Sequence, residues 1–156
     1  MNVAFINPFL QAAKNVLETM CQVEVIPQKP SLKMDKTTYG EVTGIIGMTS
    51  QKMSGCMVLS FEKSCILQIV GNMLMEDPKK DIDADIIDAV GELTNMICGG
   101  AKAQLSKLDQ TFDMSSPTMV VGKGRDLNYY SEGPIIVIPF KTDTGLFVVE
   151  ANLTMH

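Results

Sequence analysis

Residues 81–107, DIDADIIDAVGELTNMICGGAKAQLSK, decide how the rest of the chain reads. Turning each residue by about 100° from the last puts Ile86, Val90, Leu93, Ile97, Ala101 and Leu108 on one stripe. That is the pattern of a helix with one face on a core. The spacing predicts a long helix from about Ile82 to Lys107. Asp81 or Asp83 can cap its start, and the acids crowded into its first turn suit the positive end of the helix dipole. The opposite side carries Asp85, Asp88, Glu92, Asn95, Gly99 and Ser106. Glu92 and Asn95 are three apart, so their side chains lie next to each other and point outward.

A carboxylate and a carboxamide on a helix surface are, taken alone, an ordinary solvated face. The glycines add weight. Gly91, Gly99 and Gly100 lie inside the helical pattern, where each costs about 1 kcal/mol relative to Ala. Gly99 follows Asn95 by one turn on the same outward side, and its missing side chain opens room for another surface to approach the helix. A local kink is the other reading of that glycine. Gly100 points more toward the interior, where it would permit close packing on a sheet.

Working outward, Asn7-Pro8 reads as an N-cap and first helical residue, with Phe9, Ala12, Ala13, Val16, Leu17 and Met20 at helical spacing after it. Residues 21–26 (CQVEVI) alternate like a short strand before Pro27. Residues 41–48 (EVTGIIGM) and 56–61 (CMVLSF) read as a hairpin across the polar residues 49–55. Ile66, Leu67, Ile69, Val70, Met73 and Leu74 restore the helical period until Asp77-Pro78 stops it. Beyond Pro117, strands are expected at 118–121, 135–140 and 146–153, with a turn at 141–145. The order is helix, three strands, two helices, three strands. This predicts an α/β fold of the α+β type: one domain over residues 1–156, with a mixed or antiparallel sheet packed against long helices.

Composition removes several classes of function. The 156 residues carry a net charge of -5 and an isoelectric point near 4.8, and no basic run exceeds Lys79-Lys80, so nucleic acid is not an expected partner. The single His is His156. Cys21, Cys56, Cys65 and Cys98 form no C-x-x-C pair, so zinc and thioredoxin-type chemistry lack their spacing. No membrane span and no secretory leader are read, and four reduced, mostly buried thiols in a cytoplasmic protein are expected. Asp81, Asp83, Asp85 and Glu92 imitate a calcium loop, but the position that must be Gly is Ile86. Gly122-Lys123-Gly124-Arg125 lacks phosphate-loop spacing and reads as a turn. Cys98 has no His to activate it. The methionines read as core filler, with Met96 as a possible contact residue.

The stretch 88–101, DAVGELTNMICGGA, resembles the signature of the CheC/CheX/FliY family of chemotaxis phosphatases: an E-x-x-N helix running into N-M-I-x-G-x-A. The opening helix (INPFLQAAKNVL), the length and the order of elements extend the resemblance over essentially the whole chain. The first helix has no acid three residues before an Asn. A single signature on the third helix is similar to CheX-type rather than CheC-type members. No appended flagellar-switch domain is expected.

The resemblance implies a cytoplasmic homodimer that removes the phosphate from the phospho-aspartate of a CheY-type response regulator. It implies no cofactor of its own, with Mg²⁺ and a lysine supplied by the receiver. In that picture Glu92 pairs with the receiver lysine, while Asp88, Gly99 and Lys102 border the docking surface. Asn95 suits the task of orienting water, because its amide both donates and accepts without bringing charge near the phosphoryl group. The competing assignment makes Glu92 a general base, for which a carboxyl group on an exposed helix is poorly matched at neutral pH. The alternative function is a non-catalytic dimeric module that binds a receiver domain.

Overall fold

The computed structural model describes residues 3–156. The elements run α1 (Val3–Met20), β1 (Ile26–Pro27), β2 (Ser31–Leu32), β3 (Val42–Thr49), β4 (Met53–Phe61), α2 (Lys63–Leu74), α3 (Ala84–Ser106), β5 (Asp113–Met114), β6 (Thr118–Val121), β7 (Ile136–Thr142) and β8 (Gly145–Met155). The strands form one sheet in the order β1-β7-β8-β4-β3-β5, with β2 also on β7 and β6 also on β3. Of the mixed or antiparallel sheet expected, every named pairing is antiparallel.

Strand alternation sorts the sheet into two faces. Val42, Ile46 and Met48 of β3, Met57, Leu59 and Phe61 of β4, and Phe147, Val149 and Ala151 of β8 belong to the core that holds the helices. Phe61, Phe147 and Phe140 stack in succession, with ring centres 5.0 and 4.9 Å apart. On the reverse face Ile45, Cys56 and Val58 pack with Leu127. The irregular segments flanking residues 37 and 126, bridged at Thr37 and Asp126, cover that side. With both faces covered, the central strands are buried almost throughout.

The expected elements are present, with four local corrections. Pro8 lies inside α1 rather than at its first position. The segment 21–25 is no strand: α1 ends with Gln22 in a left-handed conformation (φ 53), and both the Cys21 and Val23 N–H groups donate to the Leu17 carbonyl at 3.2 Å. Its alternation reflects a chain leaving the helix with Cys21 and Val25 turned into the core. Leu108 is 43 % exposed because α3 stops at Ser106, and Leu105 occupies the core instead. Gly100 faces α1, not the sheet, since a Cβ there would lie 3.1 Å from the Ala12 Cβ.

Candidate functional site

Helix α3 begins where one of the two candidate caps predicts: Asp83 accepts a hydrogen bond from the Ile86 N–H at 3.0 Å. Lys79 reaches both Asp83 (2.6 Å) and Asp85 (2.9 Å). Its hydrogen bond, with that from the Ile86 N–H, holds the Asp83 carboxyl below its ordinary range. Ile86, Val90, Leu93, Ile97 and Ala101 are fully buried, which fixes the rotation of the helix. Burying a large aliphatic side chain contributes about 1.5–3 kcal/mol, so this orientation is strongly held.

That rotation turns Asp85, Asp88, Glu92, Asn95 and Gly99 away from the core. Glu92 is exposed and Asn95 half-buried. Among the described residues neither side chain has a hydrogen-bond or ion-pair partner, and the same holds for Asp88. The pair therefore stands as an open ridge: a carboxylate suited to a cation, beside a carboxamide able to donate and accept at once.

The five predicted site residues share the ridge without being equally close. Glu92, Asn95 and Gly99 follow one another at single turns on one face. At about 1.5 Å of rise per residue, Asp88 lies about 6 Å before Glu92, and Lys102 about 10 Å beyond Asn95. Gly99 is open: a Cβ added there would meet nothing within 4 Å. Gly99 and Lys102 instead border a cavity of about 370 Å³, with Ala103, Phe112 and Met114 among its other walls. Phe112 and Met114 are neighbours of the site that the sequence did not reveal. They lie in a segment without periodicity, brought alongside α3 only by the chain reversal after Ser106.

Cys98 is buried behind the ridge, and burial pushes its thiol up to about 12 despite the lowering effect of Lys102. A thiol so held is not a nucleophile at neutral pH. Cys21, Cys56 and Cys65 are also buried free thiols, each raised to about 11 by burial. Among the described residues no helix is long and apolar enough to cross a membrane.

The architecture is that of the CheC-like superfamily. A CheC-like superfamily protein from Shewanella sp. PV-4 is 43% identical, with 100% of this chain and 99% of that one covered and a TM-score of 0.89. The family model for chemotaxis phosphatase CheX matches residues 42–141, more than half of the sequence and including the whole of α3. The chain belongs to the CheX family. It is also similar to the CheY-P phosphatase CheX of Thermotoga maritima, at 27% identity over 139 residues, covering 89% of this chain and 88% of that one. A CheX–CheY–BeF₃–Mg²⁺ complex from Borrelia burgdorferi shares the fold, with 24% identity, 97% of each chain covered and a TM-score of 0.77.

Proposed function

We propose that this chain stimulates hydrolysis of the aspartyl phosphate on a CheY-type response regulator. One observation carries the reading: Glu92 and Asn95 stand side by side on an outward helix ridge, with no side-chain partner among the described residues. A small-molecule enzyme would set such groups in a cleft, whereas a projecting ridge fits a site completed by a second protein. The similarity to a CheY-P phosphatase, and the fold shared with a protein solved together with CheY, support the same partner.

Hydrolysis of an acyl phosphate asks for a water held in line with the phosphorus–oxygen bond that breaks, and for charge stabilisation around the phosphoryl group. The receiver carries the Mg²⁺ and a lysine; this chain supplies no cofactor. Asn95 accepts a hydrogen bond from the attacking water through its amide oxygen and donates one to a phosphoryl oxygen through its amide N–H, remaining uncharged throughout. Glu92 would repel those oxygens, so its target is the receiver lysine, and the ion pair anchors the ridge. Asp88, Gly99 and Lys102 border the contact. The family resemblance extends the proposal to a homodimer acting in the cytoplasm.

The test is release of inorganic phosphate from a phosphorylated CheY-type receiver, with and without the protein. Acceleration that disappears in Asn95→Ala supports the reading. Binding of the receiver without acceleration would replace it with the non-catalytic module.

A further inference from the structure

Beyond Gly99 the ridge of α3 drops into the cavity of about 370 Å³. Its far wall is built by the chain itself. After Ser106 the backbone reverses through Asp109 in a left-handed conformation (φ 61). Phe112 is then fully buried beneath the segment, and Met114 pairs with Met48 as part of β5. The exposed lining surface is mainly apolar, from Gly99, Ala103, Phe112 and Met114, with Lys102, Ser106 and Thr111 as its polar members.

Gly99 guards the mouth of this cavity at a cost. Glycine in a helix interior is about 1 kcal/mol less favourable than alanine, and no contact among the described residues requires it. Its φ is not positive, and among the described residues no atom apart from the adjoining residues and helix backbone lies within 4 Å of an added Cβ. Gly100 differs, because Ala12 presses against it. The space at position 99 is therefore kept open for something outside the chain.

The occupant follows from position and chemistry. Glu92 and Asn95 engage polar groups, yet protein contacts draw most of their affinity from a few anchors, above all aromatic side chains and Arg, seated in desolvated pockets. This cavity is apolar and continues the ridge on the same helix face. It begins about 6 Å from Asn95 along the axis and extends to about 12 Å at Ala103. We propose that it receives one apolar side chain of the phosphorylated receiver, projecting from the receiver surface within about 12 Å of the phospho-aspartate. The cavity thereby helps select which receiver is bound. This inference rests on the phosphatase reading above and adds a specificity pocket to it.

The test measures binding of a beryllofluoride-activated CheY-type receiver to the full chain, alongside phosphate release. Gly99→Leu fills the mouth from a position with free space, and a thermal melt confirms that it folds. The expected result is a rise in Kd of about tenfold or more for Gly99→Leu, while Asn95→Ala binds nearly as the parent but no longer accelerates hydrolysis. Truncating the receiver's anchoring side chain to Ala weakens binding to the parent protein and has little further effect on Gly99→Leu, the signature of two groups in direct contact. Unchanged binding by Gly99→Leu, with Asn95→Ala inactive, overturns the pocket and leaves the phosphatase standing. A change in oligomeric mass in Gly99→Leu with receiver binding intact also overturns it, because the occupant is then a second copy of this chain. Failure of the parent protein to bind or dephosphorylate any receiver removes both readings.

Discussion

Thr94 and Gly44 fit one another across the helix–sheet interface. The Thr94 hydroxyl donates to the Val90 carbonyl at 2.7 Å, and a Cβ placed on Gly44 would lie 2.2 Å from that same hydroxyl oxygen. Thr94 is the immediate neighbour of Asn95 and faces inward, so the missing side chain on β3 sets how low this turn of α3 sits. The height of the ridge is thus fixed by a residue fifty positions away.

Gly44→Ala is expected to force α3 outward and cost about 1–3 kcal/mol, the usual penalty of overpacking a closed interior. Urea unfolding would show a lower midpoint with an unchanged slope. Receiver dephosphorylation should fall as well, since Asn95 moves with Thr94. A parent-like midpoint would mean that the interface yields elsewhere.

Asn95→Ala should reduce stimulated phosphate release by about a hundredfold, equivalent to about 2.7 kcal/mol of barrier, with a melting temperature close to the parent's. Asn95→Asp is nearly isosteric but puts negative charge beside the phosphoryl group, and should be just as poor. Activity retained in the Asp variant would show that the group there acts as a base, not as a neutral positioner of water.

Glu92→Ala should raise KM for the phosphorylated receiver. The gap between parent and variant should be widest at low ionic strength and narrow as salt rises, because salt screens the ion pair that only the parent makes. A gap that stays constant with salt but changes with pH would favour proton transfer by Glu92.

Glu150 offers a test of the reverse face. Its carboxylate is fully buried, with Lys33 Nζ at 2.9 Å from one oxygen and the Tyr129 hydroxyl donating to the other. Lys33→Met, which strands the carboxylate, should cost about 3–5 kcal/mol, and a double Lys33→Met/Glu150→Met variant should cost less than the single change. Burial holds the Glu150 carboxyl above its ordinary 4.5, against the opposing pull of Lys33 and Tyr129. The folded chain therefore binds that proton more tightly than the unfolded chain, and the group's contribution to stability declines as pH rises from 4.5 through the raised value. Unfolding free energies measured from roughly pH 4 to 8 should lose this decline in Glu150→Gln.

Gly99→Ala should raise stability by about 1 kcal/mol through helix propensity alone, readable as a higher denaturation midpoint. A destabilised variant would point to a neighbour that approaches Gly99 in solution.

The outward face of α3 that carries the candidate site is legible in the sequence, for reasons particular to that helix. A helix repeats every 3.6 residues, so Ile86, Val90, Leu93 and Ile97 declare the inner face, and Glu92 and Asn95 follow as outer neighbours by geometry alone. Asp83 was visible as one of two possible caps. The hairpin of β3 and β4 was equally plain, from two apolar runs across a polar turn. Strands β2 and β5 escaped, and β1 meets the expected strand only at Ile26, because each is two residues long and only a partner strand defines it. Pro8 misled because α1 begins at Val3, five residues before the point at which the proline signal starts it, so the ring lies past the first turn. Alternation over 21–25 misled because a chain peeling off a helix can bury every second residue without pairing.

Local order, then, was written into the amino-acid sequence: which segments coil, where α3 starts, and which of its side chains face away from the core. Such features depend on neighbours a few positions apart, and their periods survive in the one-dimensional text. Tertiary structure alone decided that Gly44 seats Thr94, that Glu150 lies buried against Lys33 rather than in water, and that Phe112 and Met114 wall a cavity beside Gly99. Those relationships join residues separated by many positions, and they exist only where the folded backbone brings surfaces together and excludes the solvent between them.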